Sequence, residues 1–451
     1  MKQKMSFSYL IAVGFMLFAL FFGAGNLIFP AMLGQSAGSN LWSANFGFIV
    51  TGVGLPLLGV IALGYSGKSD LQSLASRVSP FFGVAFTVVL YLSIGPLFAI
   101  PRTGTVSFEM GVKPFIAEEH TTMGLLIFSI IFFGITLYFS LKSQKIVDIV
   151  GKVLTPLLLL FIAILIITAF MKPMGVFQAP TENYVTDSFY KGFKEGYLTM
   201  DALAAFVFGI IVVNAVKERG ATTRKEIMSA VAKTGLIAAG LLAIIYTSLT
   251  FIGASSVEDL GLLDNGGAVL SGVANHYFGS YGGILLSLIV FGACLTTSIG
   301  LITSCATYFN KLWPSISYTK FAIIFSVFST VFANFGLSQL IAISVPVLVA
   351  IYPLAVCLMA LTFLHNFFKG RKEVYQWSMG LTFIVALFDG LNAAGISFAP
   401  INELFANILP LYGQGLGWIV PAILGAVIGF VISKVIKSDL ESAPIENKEA
   451  V

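Results

Sequence analysis

Long apolar runs separated by short polar joints occupy almost the whole of this chain. Runs of spanning length fall at about 7–33, 41–65, 81–104, 122–141, 146–171, 189–216, 230–253, 280–306, 319–334, 338–365, 375–395 and 411–433. A helix needs about 20 consecutive apolar residues to cross the hydrocarbon layer. The pattern therefore predicts an all-α polytopic membrane protein with 12 transmembrane helices. The ninth run is short, and the third contains Pro96 and Pro101. The first run is too long for a signal peptide and reads as retained. The tail at 434–451 is polar, and no separate soluble domain is visible.

Two runs break their own pattern. Phe22-Gly23-Ala24-Gly25-Asn26-Leu27-Ile28-Phe29-Pro30 lies within the first. Glycine is a poor helix former, and the glycine pair with Asn26 invites the backbone to unwind. In the sixth run, Thr199 and Asp201 carry short polar side chains that compete for backbone hydrogen bonds. A carboxylate inside a span is costly enough to mark a functional site.

Spans one and six lie five apart, and five is odd, so five-helix units starting at each run in opposite directions. Paired interruptions at matching positions point to an inverted-repeat transporter whose site lies at the breaks. The expected division is a first repeat at 1–171, an inverted repeat at 172–365, helices eleven and twelve at 366–433 and a tail at 434–451. Plainer explanations exist. The glycines of span one would also suit close helix packing, as Gly425-x-x-x-Gly429 is expected to do in span twelve. Asp201 could be a structural acid paired within the bundle.

Span eight offers a hydroxyl face. Ala293, Thr296, Thr297 and Gly300 fall at i, i+3, i+4 and i+7, one side of a helix. Hydroxyls there, with carbonyls freed at an unwound turn, would suit a hard cation such as sodium. The competing explanation is that each threonine bonds back to the carbonyl four residues earlier.

Composition narrows the function classes. Of 451 residues, 57% are hydrophobic and 10% charged, against about 25% charged in soluble proteins. The net charge of +4 comes from loops, and no basic aromatic patch suggests nucleic acid. Twenty of the 25 Lys and Arg lie on the side of the termini; Arg102, Lys113, Lys172, Lys191 and Lys194 lie on the other. The positive-inside rule then places both termini in the cytoplasm. Arg102 reads as an arginine near the outer end of span three, snorkelling or structural. Three cysteines within spans fit neither a disulfide framework nor a metal site, and three scattered histidines suggest no catalytic centre. No phosphate-binding G-x-x-x-x-G-K-[ST] stretch is present, so an ion gradient would have to drive active transport. No repeated filter sequence supports a channel, which stands as the alternative of another class.

The first-span motif, taken with Gly95-Pro96-Leu97-Phe98-Ala99-Ile100-Pro101-Arg102-Thr103, resembles the bacterial branched-chain amino acid:cation symporters (BrnQ-type carriers). That likeness covers nearly the whole chain. More distantly, Gly23-Ala24-Gly25-Asn26 followed by Phe29-Pro30 resembles the first helix of LeuT-type sodium:amino acid symporters, with one residue fewer before the proline. The resemblance implies a five-plus-five inverted-repeat core with two extra helices, in the bacterial plasma membrane. It implies uptake of leucine, isoleucine and valine with sodium, or with a proton. No cofactor beyond the coupling ion and no partner protein is implied.

Carried onto this chain, the backbone N–H groups of Phe21, Ala24 and Gly25 would hold the substrate carboxylate, with Gly23, Asn26 and Met200 in the same stretches. Thr199 and Asp201 match substrate-contacting positions. The carbonyls of Ala19, Phe22 and Ala293, with the hydroxyls of Thr296 and Thr297, would form the sodium site. Asp201 departs from the LeuT pattern, which has a small hydroxyl residue there; it would meet the substrate ammonium, or titrate.

Overall fold

The computed structural model describes residues 6–68, 70–141, 144–181 and 184–435, so all but the start of the expected tail lies outside it. All regular structure among the described residues is helical. Among the described residues, seven helices are long and apolar enough to cross a membrane unaided, and a bent pair forms an eighth. Shorter apolar helices at Phe7–Phe21, Leu159–Met171, Tyr318–Ala333 and Ile419–Val435 complete the 12 expected positions. Side chains mark several starts: Ser79, Thr223, Asn265 and Ser317 each accept a backbone N–H of the first turn. Such caps satisfy donors that a helix leaves without partners.

Both expected breaks are present. Span one is two helices, Phe7–Phe21 and Ala24–Ala37, joined through Phe22 (ψ 87) and an extended Gly23 (φ −121, ψ −157). Span six is Ser188–Glu195, a 3-10 turn at Gly196–Thr199, and Asp201–Glu218. Its two arms are bent by 44°.

Three features differ from the sequence reading. Span three is interrupted, not merely kinked: Gly95 leaves helical geometry (φ −99, ψ −126) just before Pro96, which lacks an N–H and crowds the preceding turn. Residues expected in an outer loop form the helix 266–278, which joins span eight at Gly279 (φ 60). It is too short to cross a membrane, yet it buries Val269, Leu270 and Val273. Span twelve begins at Ile419, not near 411, because a short helix, Ala399–Ile408, and a glycine-containing turn precede it.

Small residues set the closest packing. A methyl group at Gly34 would overlap the Thr250 carbonyl, and one at Gly253 would overlap that of Ala31. Spans one and seven are thus in backbone contact. Spans two and six show the same relation, with Gly47 against the Phe189 carbonyl and Gly192 against that of Ala44. Pairing of one with seven, repeated as six with two, is the exchange that an inverted five-helix repeat requires. Gly425 and Gly429 of span twelve pack against the carbonyls of Trp377 and Glu373 in span eleven, as the packing motif predicted. Cys294, Cys305 and Cys357 are free and buried.

Forcing these backbones apart should be costly, since overpacking a tight contact typically costs about 1–3 kcal/mol or more. Gly253→Leu is expected to lower the thermal unfolding midpoint of detergent-purified protein. Gly240→Leu, on the same helix with nothing within 4 Å, should leave it nearly unchanged. Equal midpoints for the two variants would contradict the packing described.

Candidate functional site

The first break is shaped by one carboxamide. The Phe22 N–H closes the first helix onto the Phe18 carbonyl (2.7 Å). The next donor, Gly23 N–H, goes to Asn26 Oδ1 (3.1 Å) instead of the Ala19 carbonyl four residues back. The carbonyls ending the first helix are thereby released from the ladder, and the amides of Ala24 and Gly25 open the second. Carbonyl dipoles from one half and N–H dipoles from the other meet at a single point. Phe21 was expected among the amide donors. It is the last residue of the first helix, where its N–H belongs to the helical ladder; its ring meets Phe208 edge-on at 5.7 Å.

The second break is held by tertiary packing. Met200 sits in left-handed geometry (φ 64, ψ 7), which costs a non-glycine residue on the order of 1–3 kcal/mol unless its surroundings over-determine it. Met200 is buried, and its N–H reaches the Tyr197 carbonyl (3.0 Å). Asp201 then opens the second half, where the helix dipole favours a negative charge. Its amide donates to Thr199 Oγ1 (3.3 Å), and the Thr199 hydroxyl donates to the Gly196 carbonyl (3.0 Å).

Asn26 also joins the two breaks. Its Nδ2 donates to Asp201 Oδ2 (2.5 Å) and to the Tyr246 hydroxyl. The Tyr246 hydroxyl in turn donates to the same Oδ2 (2.9 Å). Asn26 is 2% exposed and Asp201 3%, so this network is buried. It links spans one, six and seven through Asp201, whose Oδ1 takes no part in these bonds.

Arg102 enters from span three. It is 4% exposed; Nη1 donates to the Leu198 carbonyl (2.7 Å), Nη2 reaches that of Thr199 (3.5 Å), and the guanidinium lies 5.0 Å from the centre of the Phe29 ring. The sequence had placed it at the outer membrane edge. Span three continues as a helix to Gly111, which puts Arg102 well inside the protein. Thr103, inside the predicted span 81–104, and Thr105 and Ser107, just beyond it, are buried and bond to their own helix backbone.

Phe21, Gly23, Ala24, Gly25, Asn26, Thr199, Met200 and Asp201, the residues expected to bind substrate, all line one cavity. Arg102, Thr103, Thr297 and apolar side chains that include Ile94, Phe208 and Leu301 complete its wall. The cavity is small, with about 30 Å³ of water-sized space, and most of its lining is buried.

The residues expected around a cation are less uniform. Thr297 lines the cavity beside the first break: a methyl at Gly23 would come within 3.0 Å of its Oγ1. That oxygen is buried without a partner among the described residues. Thr296 donates to the Gly292 carbonyl (2.8 Å), the back-bond weighed above. Ala19, Phe22, Ala293 and Thr296 do not line the cavity. Gly300, one turn beyond Thr296, faces Leu20 of span one. Among the described residues no group of three or more His, Cys, Asp or Glu could hold a metal ion. The sequence missed Tyr246, a tyrosine in an apolar run that offers no signal, and the depth of Arg102. Chemically, the cavity offers one carboxylate, one guanidinium and two pairs of helix ends, a setting for a small charged solute.

The comparisons with known proteins agree with this geometry. The family model described as "Branched-chain amino acid transport protein" matches residues 6–436. The chain is 58% identical over 433 residues to the branched-chain amino acid permease BrnQ of Bacillus subtilis, covering 96% of this chain and 98% of that protein. It is 51% identical to BraB of the same organism over 96% and 97% of the two chains. To the branched-chain amino acid transport system 2 carrier protein of Pseudomonas aeruginosa it is 41% identical over 96% and 98%. Among solved structures, Mhp1, a nucleobase-cation-symport-1 family transporter in a closed conformation with bromovinylhydantoin bound, superposes with a TM-score of 0.62 at 13% identity, over 97% of this chain and 94% of that one. MhsT in complex with L-phenylalanine gives 0.55 at 18% identity, over 96% and 99%. These two share the LeuT-like fold. The relatives are carriers, not enzymes, and this chain belongs to the family of branched-chain amino acid transport proteins.

Proposed function

We propose that the protein imports leucine, isoleucine and valine across the bacterial plasma membrane by symport with sodium, with both termini in the cytoplasm. The observation that carries this reading is the single cavity where the two helix breaks meet, with Asp201 and Arg102 in its wall. A zwitterion fits such a place: the N-terminus of Ala24–Ala37 favours its carboxylate, and Asp201 its ammonium. Printed names of the relatives supply the substrate class. Residues 1–171 and 172–365 would be the two inverted repeats.

The branched side chain would sit against Ile94, Phe208 and Leu301. Apolar walls separate substrates differing by one methylene by only about 1–3 kcal/mol, so the three amino acids should compete with one another. Sodium is supported by the Thr297 hydroxyl, buried and unpartnered beside Gly23, and by carbonyls such as that of Ala19, freed when Asn26 captures the Gly23 N–H. An ion bridging spans one and eight would favour one state of the carrier over the other, and coupling follows from that difference in affinity. A proton is the second reading, and the burial of Asp201 supports it.

Radiolabelled leucine uptake into proteoliposomes under imposed gradients separates the two. Replacing sodium by choline at fixed pH should abolish uptake; uptake that persists and follows an imposed proton gradient overturns sodium coupling. Thr297→Ala should raise the sodium needed for half-maximal uptake about tenfold, as expected for one ligand to a charged group, and Thr296→Ala should raise it less. Sodium activation unchanged in both would remove the proposed ion site. Asp201→Asn should collapse uptake, whereas wild-type kinetics would make Asp201 purely structural.

A further inference from the structure

We infer that Arg102 is a direct ligand of the transported amino acid's carboxylate, acting with the first turn of Ala24–Ala37 as an anion clamp. This rests on the amino acid transport reading above and adds a side chain where sequence resemblance implied backbone alone.

Arg102 is almost fully buried, and no carboxylate lies within 4 Å of it among the described residues. Asp201, which shares the cavity, has Oδ2 engaged by Asn26 and Tyr246. Asp201 acts on the guanidinium only through space, and a buried guanidinium with no direct carboxylate partner is costly. The carbonyls of Leu198 and Thr199 engage Nη1 and, at 3.5 Å, Nη2, while Nε is buried with no partner. A guanidinium has five donors, so this one is under-used where it faces the cavity.

Placement makes the case specific. A methyl at Gly25 would come within 2.8 Å of Nη2. The guanidinium therefore lies along the first turn of Ala24–Ala37, whose leading amides form the positive end of a helix. Two positive features in a dry pocket repel each other unless an anion lies between them, and a carboxylate suits both: it accepts two parallel N–H bonds from a guanidinium fork and further bonds from backbone amides. Gly25 has no side chain to displace the arginine, and the Phe29 ring sits against its face. Asp201 is left for the ammonium, so the two ends of a zwitterion are told apart. As a strut alone, Arg102 would satisfy carbonyls of span six, but that role gives no reason for a guanidinium laid along the first turn of Ala24–Ala37.

The test compares L-leucine with L-leucinol, which keeps the side chain and ammonium but lacks the carboxylate, as competitors of radiolabelled leucine binding to the purified full chain. Leucine should win decisively in the wild type. In Arg102→Gln, leucine affinity should fall by about 10- to 100-fold, the span expected for a hydrogen bond to a charged group. Leucinol affinity should stay within about threefold of its wild-type value, and Arg102→Lys, which keeps the charge but not the fork, should fall between. Equal loss for both ligands would make Arg102 a strut and overturn the inference, as would unchanged leucine affinity. A wild-type chain that binds no leucine would instead overturn the transport reading itself.

Should Arg102→Gln not be recoverable in folded form, the unaltered chain answers the same question. Phenylglyoxal modification of Arg102, followed by mass spectrometry, should be slowed by leucine and not by leucinol. Equal protection by both, or by neither, overturns the inference.

Discussion

Everything about the site depends on where the Asn26 carboxamide sends its three hydrogen bonds. An unwound backbone in a membrane has no water to satisfy it, so a broken span survives only if side chains replace the lost partners. Asn26 Oδ1 takes the Gly23 N–H, and its two Nδ2 hydrogens go to Asp201 and Tyr246. No other residue of that size does all of this. Aspartate would offer no donor and would set a second carboxylate against Asp201. Leucine would leave the Gly23 amide without its partner and the Asp201 carboxylate with the Tyr246 hydroxyl but no donor from span one, and an unsatisfied buried group costs about 1–3 kcal/mol or more. The break in span one and the burial of a carboxylate in span six are therefore two consequences of one side chain.

The glycine contacts extend this constraint outwards. Gly34 and Gly253 bring spans one and seven together, and Gly47 and Gly192 do the same for two and six. The Asn26–Asp201–Tyr246 network then ties one, six and seven to each other, and Tyr246 meets Phe48 of span two edge-on at 5.3 Å. Spans one, two, six and seven form one tightly joined unit. Around the cavity, spans three and eight meet it through Arg102 and Thr297, and Gly266, outside the span proper, lies against the Ile28 carbonyl.

The hydropathy pattern sufficed for the spans because lipid imposes length and apolarity on each. Both breaks of the inverted pair were legible too, since glycine pairs and aspartate are conspicuous in apolar runs. What escaped notice was polar structure turned inwards. Thr105 and Ser107 fell beyond the expected end of span three because composition cannot distinguish a polar residue facing headgroups from one buried against protein. That error moved Arg102 from the pocket to the membrane edge. Helix 266–278 was lost in the same way, being amphipathic and too short to span. Thr296 and Thr297 show the limit of spacing arguments: as neighbours they point about 100° apart, and only packing decides that Thr297 faces the break while Thr296 bonds back to Gly292.

Burial of the cavity bears on how such a carrier would move. Its polar lining, Asn26, Arg102, Thr199 and Asp201, is shut off from solvent, so opening it is part of any transport cycle. The joined unit resists being the part that deforms, because separating spans one and six would take from the buried Asp201 carboxylate the bond that Asn26 donates to it. Motion of spans three and eight against that unit breaks fewer bonds: chiefly those of Arg102 to Leu198 and Thr199, and whatever Thr297 shares with the first break. These are the contacts that the proposed carboxylate and ion would themselves supply. Binding and closure would then be one event, in which the solute completes hydrogen bonds that the protein leaves unfinished between its two moving parts.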